Sequence, residues 1–579
     1  MKTDNFQFLL ITTLLSAASI ILEQFKLNSL TIIFSMSVDL ALIAVLFLEL
    51  IRAYRKSRLK SIFFRVNSLK IIFLILFIPL AVYGKVLFLS GSRLGRYLPP
   101  AALIVLRNII ILAILAARMR AFGKVLKRAA ASPSRYIVLS FAVVIAIGTV
   151  VFLLPISRSG GGGLNFMQSF FTATSAVCVT GLSVIDVSAE LSAFGQGALL
   201  ALIQVGGLGI MILSFFAVFS IARRLSVENK YMLSYLLSED DMAMLGSAVT
   251  KIIIITFSAE LIGTALLFIS FRDICSNVQD RIFFAVFHSV SAFCNAGFSL
   301  FSDSLEGFSG NILANLTVCG LIIAGALGFS ALSELFSSMK IVKSKGFGSV
   351  LKRKKERFSP NSRLVFNWTF FLIFSGFLLI FIFEFSSSFL GRGTGEKLLA
   401  SLFQSVTLRT AGFNTVPIGT LSVPLVLLMM AYMFIGGASG GTAGGIKINT
   451  AAVLKSYVVS RLAGSGTTRY SSKLSIPERT ARDAFLLFLF GIIAIFCGTI
   501  IIAAVEDFQL TDILFEAVSA FATVGLSRGI TADTGTISRI VLILLMFLGR
   551  VGPLTIFAAA SRPVEDKRIE LPAAEILVG

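Results

Sequence analysis

The most constraining feature of this 579-residue chain is an alternation of apolar runs of two lengths. A helix needs about 20 apolar residues to cross the hydrocarbon core, whereas runs of about 10 to 14 are more often re-entrant or buried. Long runs lie near 6–25, 28–51, 69–90, 98–117, 136–156, 195–221, 247–271, 308–333, 364–390, 422–446, 484–505 and 537–560, giving about twelve candidate spans. Short runs lie near 165–177, 280–293, 396–408 and 512–522, each between two long ones and each followed by a glycine. The order long, short, glycine, long therefore recurs four times, over about 133–222, 245–338, 363–460 and 482–562, behind an N-terminal stretch, 1–132, with four further long runs. The fold class this predicts is an all-α polytopic membrane protein.

The glycines fix the period. Gly181, Gly297, Gly412 and Gly525 are separated by 116, 115 and 113 positions. The segments read Cys178-Val179-Thr180-Gly181, Cys294-Asn295-Ala296-Gly297, Arg409-Thr410-Ala411-Gly412 and Ala522-Thr523-Val524-Gly525, each followed by a large apolar and then a small polar residue. One such glycine would be read as a tight packing contact between membrane helices; four in register call for a common role. Irregular backbone at bilayer depth survives only where it is buried in protein or lines a wet cavity. Four short helices converging on one axis would aim their partially negative C-terminal ends at it, which favours a cation. Glycine permits the positive φ angles that turn successive carbonyls one way, and such carbonyls can replace an ion's hydration shell.

Composition agrees. Only 14% of residues are charged and mean hydropathy is +0.92, against about 25% charged in soluble chains. The net charge of +21 is expected from basic cytoplasmic loops meeting anionic lipid rather than from nucleic-acid binding, for which no polar domain is visible. Lys340–Arg363 carries nine Lys/Arg against one Glu and Lys455–Arg482 six against one, so both are read as cytoplasmic. Asp186, Glu190, Asp303 and Glu306 follow the first two glycines and put these toward the outside. Five scattered cysteines and a single histidine, His288, offer no metal spacing and no catalytic set. No enzyme activity and no organic cofactor is expected. The stretch Phe8–Leu22 is read as a first transmembrane helix rather than a signal peptide, because Asp4 interrupts the would-be basic region and further spans follow.

From about Tyr136 onward the chain resembles the Trk/Ktr/HKT superfamily of cation transporters. The resemblance rests on the four glycine segments and on Gly148-Thr149, Leu154-Pro155-Ile156 and Gln204-Val205-Gly206-Gly207-Leu208-Gly209. It extends over Arg409–Thr415, Gly436–Lys447, Gly549-Arg550-Val551-Gly552-Pro553 and the Ktr-like ending Glu575–Gly579. The resemblance implies a four-repeat, potassium-channel-like pore over 133–579 including a C-terminal tail. It implies K+ at the sixteen residues of the four segments, and potassium over sodium because Gly181 is not the serine associated with sodium transport; a sodium-permeable or nonselective member of the superfamily is the alternative. It implies a homodimer in the inner (cytoplasmic) membrane, both termini cytoplasmic, controlled by a separate nucleotide-binding regulatory subunit of the TrkA/KtrA kind.

Two further features complete the expectation. Gly436, Gly437, Ala438, Ser439, Gly440, Gly441, Thr442, Ala443, Gly444 and Gly445 place six glycines in ten positions. Each costs about 1 kcal/mol relative to alanine in a helix, so the run is read as a mobile intramembrane loop consistent with the family's gate, or as a flexible exit loop. Lys447 either caps this loop or is an ordinary cytoplasmic-end lysine. Arg550 interrupts an apolar run near mid-membrane, where an arginine needs a cavity or a partner. The resemblance makes it a positive barrier touched by the gate; the alternative is a salt bridge to Glu260 or Glu334. His288 is read as a packed side chain with a local hydrogen bond. Region 1–132 is faintly voltage-sensor-like through Glu49–Arg52 and its basic linker, but of its basic residues only Arg107 sits inside an apolar stretch, so an accessory or assembly role is preferred.

Overall fold

The computed structural model describes residues 29–56, 71, 74, 133–160, 163–209, 245–273, 275, 277–336, 358–465, 467–471 and 474–560. Of the N-terminal region this includes a helix over Ser29–Lys56. Arg107, the basic linker beyond Lys56, the segment 337–357 and the tail after 560 lie outside the described residues.

Four outer helices, Pro133–Leu153, Leu245–Ser270, Pro360–Glu384 and Glu478–Ala503, are long and apolar enough to cross a membrane. Only 28 to 39% of their most apolar windows is buried inside the protein, and side chains such as Leu261, Phe370, Ile382 and Phe496 face outward. A solvent-exposed surface of this kind would aggregate, so lipid is the medium that matches it. Within this ring stand four short helices, Phe166–Cys178, Val278–Phe293, Thr394–Thr407 and Leu510–Ala522, within two residues of the short runs in the sequence. Their C-terminal halves are buried almost throughout, with Val286 and Leu402 partly exposed. Local chemistry starts them: Asn165 and Gln168 form a reciprocal capping box, and Asn277 accepts from the Gln279 amide.

The inner helices differ from expectation. Spans were expected near 195–221, 308–333, 422–446 and 537–560, the third interrupted by its glycine run; the helices end early as Ala193–Leu208, Ile312–Ala326, Val423–Phe434 and Thr536–Val551. The second bends by 111° into Phe329–Phe336 and the fourth by 94° into Pro553–Ala560. The cause is local: Gly328 and Gly552 take φ of +80° and +89°, which ends a right-handed helix, and Pro553 has no amide to continue the ladder. Gly209 closes the first inner helix in the same way, at φ +80°. The third stops before the glycine run and resumes as Ile448–Leu462. One departure from all-helical structure among the described residues is a hairpin of Thr468–Ser471 and Leu474–Ile476 in the basic linker.

Candidate functional site: a ring of four glycine segments

Each short helix ends in the same backbone gesture. Val179, Asn295, Thr410 and Thr523 have φ of 57°, 59°, 64° and 51°, and Gly181, Gly297, Gly412 and Gly525, two residues on, have φ of 96°, 70°, 80° and 91°. Among the described residues only one other non-glycine, Ser304, has a positive φ. Three of the four are β-branched, for which this region costs about 1 to 3 kcal/mol per residue and persists only when the surroundings impose it.

Local bonds close the turn in three segments, where the amides of Thr180, Ala296 and Val524 donate to the carbonyls of Ser175, Ser291 and Ser519 at 2.8, 2.8 and 2.9 Å, and the glycines that follow are confined by the neighbouring segments. A Cβ placed on Gly181 would lie 2.4 Å from the carbonyl oxygen of Ala296; on Gly297, 2.8 Å from that of Ala411; on Gly412, 2.5 Å from that of Val524; and on Gly525, 2.1 Å from that of Thr180. The contacts run first to second, second to third, third to fourth and fourth back to first, so the segments close one cycle. The carbonyls of Thr180, Ala296, Ala411 and Val524 accept no hydrogen bond from the described residues. Four unpaired carbonyls at the ends of four short helices make a site of negative potential without a carboxylate.

The hydroxyls that brace this ring were missed in the sequence. Ser175 and Ser519 accept from the Gly181 and Gly525 amides at 3.1 Å, while Ser291 and Thr407 donate to the carbonyls of Phe298 and Phe413 at 2.8 and 2.6 Å. The signal was available as a Ser or Thr five or six positions before each glycine. His288 and Glu516 form a second layer, both nine positions before their glycine. His288 Nε2 lies 3.0 Å from Ser299 Oγ, and Glu516 accepts from Ser527 and from Thr531 at 2.9 Å. Each therefore pins the small polar residue two positions after the glycine. The packed reading of His288 agrees with its Nδ1 contact to the Phe284 carbonyl at 2.8 Å and its stacking on Phe301.

Arg409 departs from the expected set. Its side chain is 1% exposed and turns back to donate to the carbonyls of Tyr432 and Ile435 at 2.7 and 2.9 Å, the orphan acceptors at the end of the third inner helix. Its own carbonyl receives Asn295 Nδ2 at 2.9 Å. Cys178, Cys294 and Ala522 hold the corresponding position in the other segments, so this layer is not fourfold equivalent. Arg409 instead ties its segment to the entrance of the glycine run.

That run is anchored under the ring. The Gly436 amide donates to Ile446 at 2.8 Å and so closes the loop on itself. The amides of Ala438 and Thr442 donate to Ala326 and Gly325 at 2.8 and 3.1 Å, and Phe329 donates to Gly440 at 3.1 Å. The broken second inner helix and the loop thus satisfy one another. A Cβ on Gly437 or Gly441 would lie 2.8 or 2.9 Å from these same carbonyl oxygens, and one on Gly444 1.9 Å from Thr523 Oγ1, which explains glycine at these positions. Thr442 Oγ1 reaches Asn295 Oδ1 at 3.2 Å. Arg550 donates to the carbonyls of Thr442 and Gly206; no salt bridge to Glu260 or Glu334 accompanies these bonds among the described residues. Lys447 Nζ donates to the Ala443 carbonyl within the loop, as in the capping alternative of its two sequence readings. Lys447, Ser439, Gly207 and Arg550 line one cavity of about 510 Å³.

The glycines of the inner helices serve the same centre. A Cβ on Gly206, Gly325 or Gly549 would meet the carbonyl oxygen of Val177, Phe293 or Phe521 at 2.2, 2.0 or 1.7 Å. Each of those carbonyls lies four residues before a ring glycine, so the inner helices press directly on the short-helix ends.

Comparison with known proteins agrees with this architecture. Residues 104–570 match the TrkH family, described as cation transport protein. The Ktr system potassium uptake protein B of Bacillus subtilis (strain 168) is 33% identical over 459 residues, covering 79% of this chain and 99% of that protein. The potassium/sodium uptake protein NtpJ of Enterococcus hirae is 32% identical over 432 residues, covering 73% and 92%. The crystal structure of the potassium transporter TrkH from Vibrio parahaemolyticus shares the fold, with a TM-score of 0.60 at 19% identity over 85% of this chain and 98% of that one. By its match over most of its length and by its four-segment ring, this chain belongs to the TrkH family of cation transport proteins.

Proposed function

We propose that this chain is the potassium-translocating pore subunit of a Trk/Ktr-type uptake system, acting across the inner membrane with its basic linkers and both termini on the cytoplasmic side. The observation that carries this reading is the closed glycine cycle with four unpaired carbonyls. K+ would be coordinated by the backbone of the four segments, with Arg409 contributing structure rather than a free carbonyl. The loop Gly436–Gly445 is the gate and Arg550 its latch and barrier. Two subunits with one pore each, and a cytoplasmic nucleotide-binding regulatory subunit, complete the system; the word "system" in the name of the Bacillus relative supports more than one component. The name of the Enterococcus relative favours a second reading, in which sodium also permeates.

Potassium uptake by a transport-deficient bacterium expressing the chain, with and without its regulatory subunit, tests the first reading, and sodium competition tests the second. Arg550→Ala is the sharper probe. A fixed charge repels a cation by about 4 kcal/mol at 4 Å with an effective dielectric of 20. Removing it, together with its bond to Thr442, should raise potassium flux per folded molecule at least tenfold and weaken dependence on the partner. A fall in thermal midpoint with no gain in flux would make Arg550 purely structural.

A further inference from the structure

Away from the ring, a second cavity of about 720 Å³ lies between the start of the third outer helix, the helix Ile448–Leu462 and the hairpin of the basic linker. Its wall combines three kinds of surface. Lys455 and Arg469 supply positive charge from two separate elements, and the Lys455 ammonium lies 5.4 Å from the ring centroid of Trp368. Ser456, Ser460 and Asn367 supply neutral polar groups; Ser460 Oγ also accepts from the Arg469 amide at 3.0 Å, which fixes the hairpin against the helix. Above Asn367 and Trp368 the same face of the outer helix continues as Phe371, Phe374 and Leu378, 58, 51 and 40% exposed. These residues fall at helical spacing of three and four, so they form one apolar track leading from the charged cavity into the bilayer. On the neighbouring helix Val458, Val459 and Leu462 are also uncovered.

We infer that this cavity binds an anionic phospholipid, with the phosphodiester held by Lys455 and Arg469 and one acyl chain lying along the Phe371, Phe374 and Leu378 track. Charge complementarity and the apolar continuation together select the ligand. A free phosphate compound would use the cations but leave the track uncovered, and a zwitterionic lipid would use the track but gain less from the two cations. Tryptophan belongs at the membrane interface for the same reason, with its apolar body toward the chains and its polar edge toward the head groups. Basic pockets between membrane helices on the cytoplasmic side are a general route to such selectivity, and each basic side chain near the surface is worth about 1 kcal/mol, or about fivefold in affinity.

Trp368 is the only tryptophan in the chain, so its emission reports on this cavity alone. The experiment uses the full chain in nanodiscs of phosphatidylcholine, into which brominated phosphatidylglycerol or brominated phosphatidylcholine is titrated. Phosphatidylglycerol should quench Trp368 at about fivefold or more lower mole fraction, and the double variant Lys455→Gln, Arg469→Gln should bring the two curves together while a monodisperse elution profile and a parent-like thermal midpoint show that it is folded. Equal quenching by the two lipids in the parent would overturn the inference, as would a preference that survives in the double variant. Inorganic phosphate or ATP abolishing the preference at millimolar concentration and constant ionic strength would assign the cavity to a soluble phosphate compound instead, and would also overturn it. None of these outcomes depends on whether the pore carries potassium.

Discussion

Gly181 is glycine for two separable reasons: its φ of +96° and the Ala296 carbonyl oxygen 2.4 Å from where its Cβ would sit. Gly160 has the first reason alone, with φ +87° and open space around it. Gly181→Ser and Gly160→Ser therefore form a matched pair. The left-handed conformation costs a side chain about 1 to 2 kcal/mol, and only at Gly181 does the serine also push a ring carbonyl. The potassium-to-sodium permeability ratio should fall about tenfold, the equivalent of 1.4 kcal/mol, in Gly181→Ser and stay unchanged in Gly160→Ser, read from reversal potentials in reconstituted bilayers. Outside the membrane-spanning segments, Glu306 accepts from Asn414 at 2.7 Å. Partial burial, and Asp303 beside it, raise its carboxyl above the usual value of 4.5. A raised carboxyl favours the folded state while protonated and loses that contribution as pH climbs through its folded value. Glu306→Gln keeps an acceptor for Asn414 and cannot ionise, so its thermal midpoint should gain on the parent as pH rises from about 4 to about 7. A constant difference across that range would mean that Glu306 does not titrate there.

At the scale of elements, the loop beneath the ring is held mostly by its backbone, which makes its side-chain contacts the adjustable part. Thr442 Oγ1 bridges the loop to the second segment through the Phe293 carbonyl at 3.3 Å and Asn295 at 3.2 Å. Thr442→Ala removes this bridge but leaves the Thr442 carbonyl to Arg550. Since one neutral hydrogen bond is worth about 1 kcal/mol, flux should rise roughly fivefold with little change in thermal midpoint; unchanged flux would mean that this contact does not hold the loop closed. The short helices and the interrupted third inner helix were legible in the sequence, because run length and glycine density act locally. The breaks at Gly328 and Gly552 were not: a single glycine in an apolar run costs a helix only about 1 kcal/mol, so its presence alone does not forecast a left-handed break. Gly552 carried a cue in Pro553, whereas Gly328 sits among Ala326, Leu327 and Phe329 with none. Within the ring the glycines were legible through their period. The inward turn of Arg409 was not, because its acceptors at Tyr432 and Ile435 belong to a helix that ends there only in the folded protein.

The whole molecule is a pseudo-fourfold arrangement whose equivalence is closest at the backbone and loosest in the side chains. His288 and Glu516 do one job in two quarters, while Thr172 and Phe403 stand at the matching positions of the others. Selectivity should then follow the backbone symmetry: Gly525→Ser, whose Cβ would meet the Thr180 carbonyl oxygen at 2.1 Å, should lower the permeability ratio as Gly181→Ser does. A markedly smaller effect at either glycine would break the fourfold description. The cycle also has a consequence in time. Its closing contact joins Gly525 to Thr180, 345 residues apart in the chain, so the first segment leaves the ribosome long before the partner that completes its surroundings. At synthesis rates of about 5 to 20 residues per second, Val179 and Thr180 wait roughly 20 to 70 s for the fourth segment. During that interval the first short helix lacks the neighbouring segments that enclose its left-handed end in the finished ring. It must be sheltered by the translocation machinery, or by the earlier helices of the same chain, until synthesis of the last quarter ends its wait.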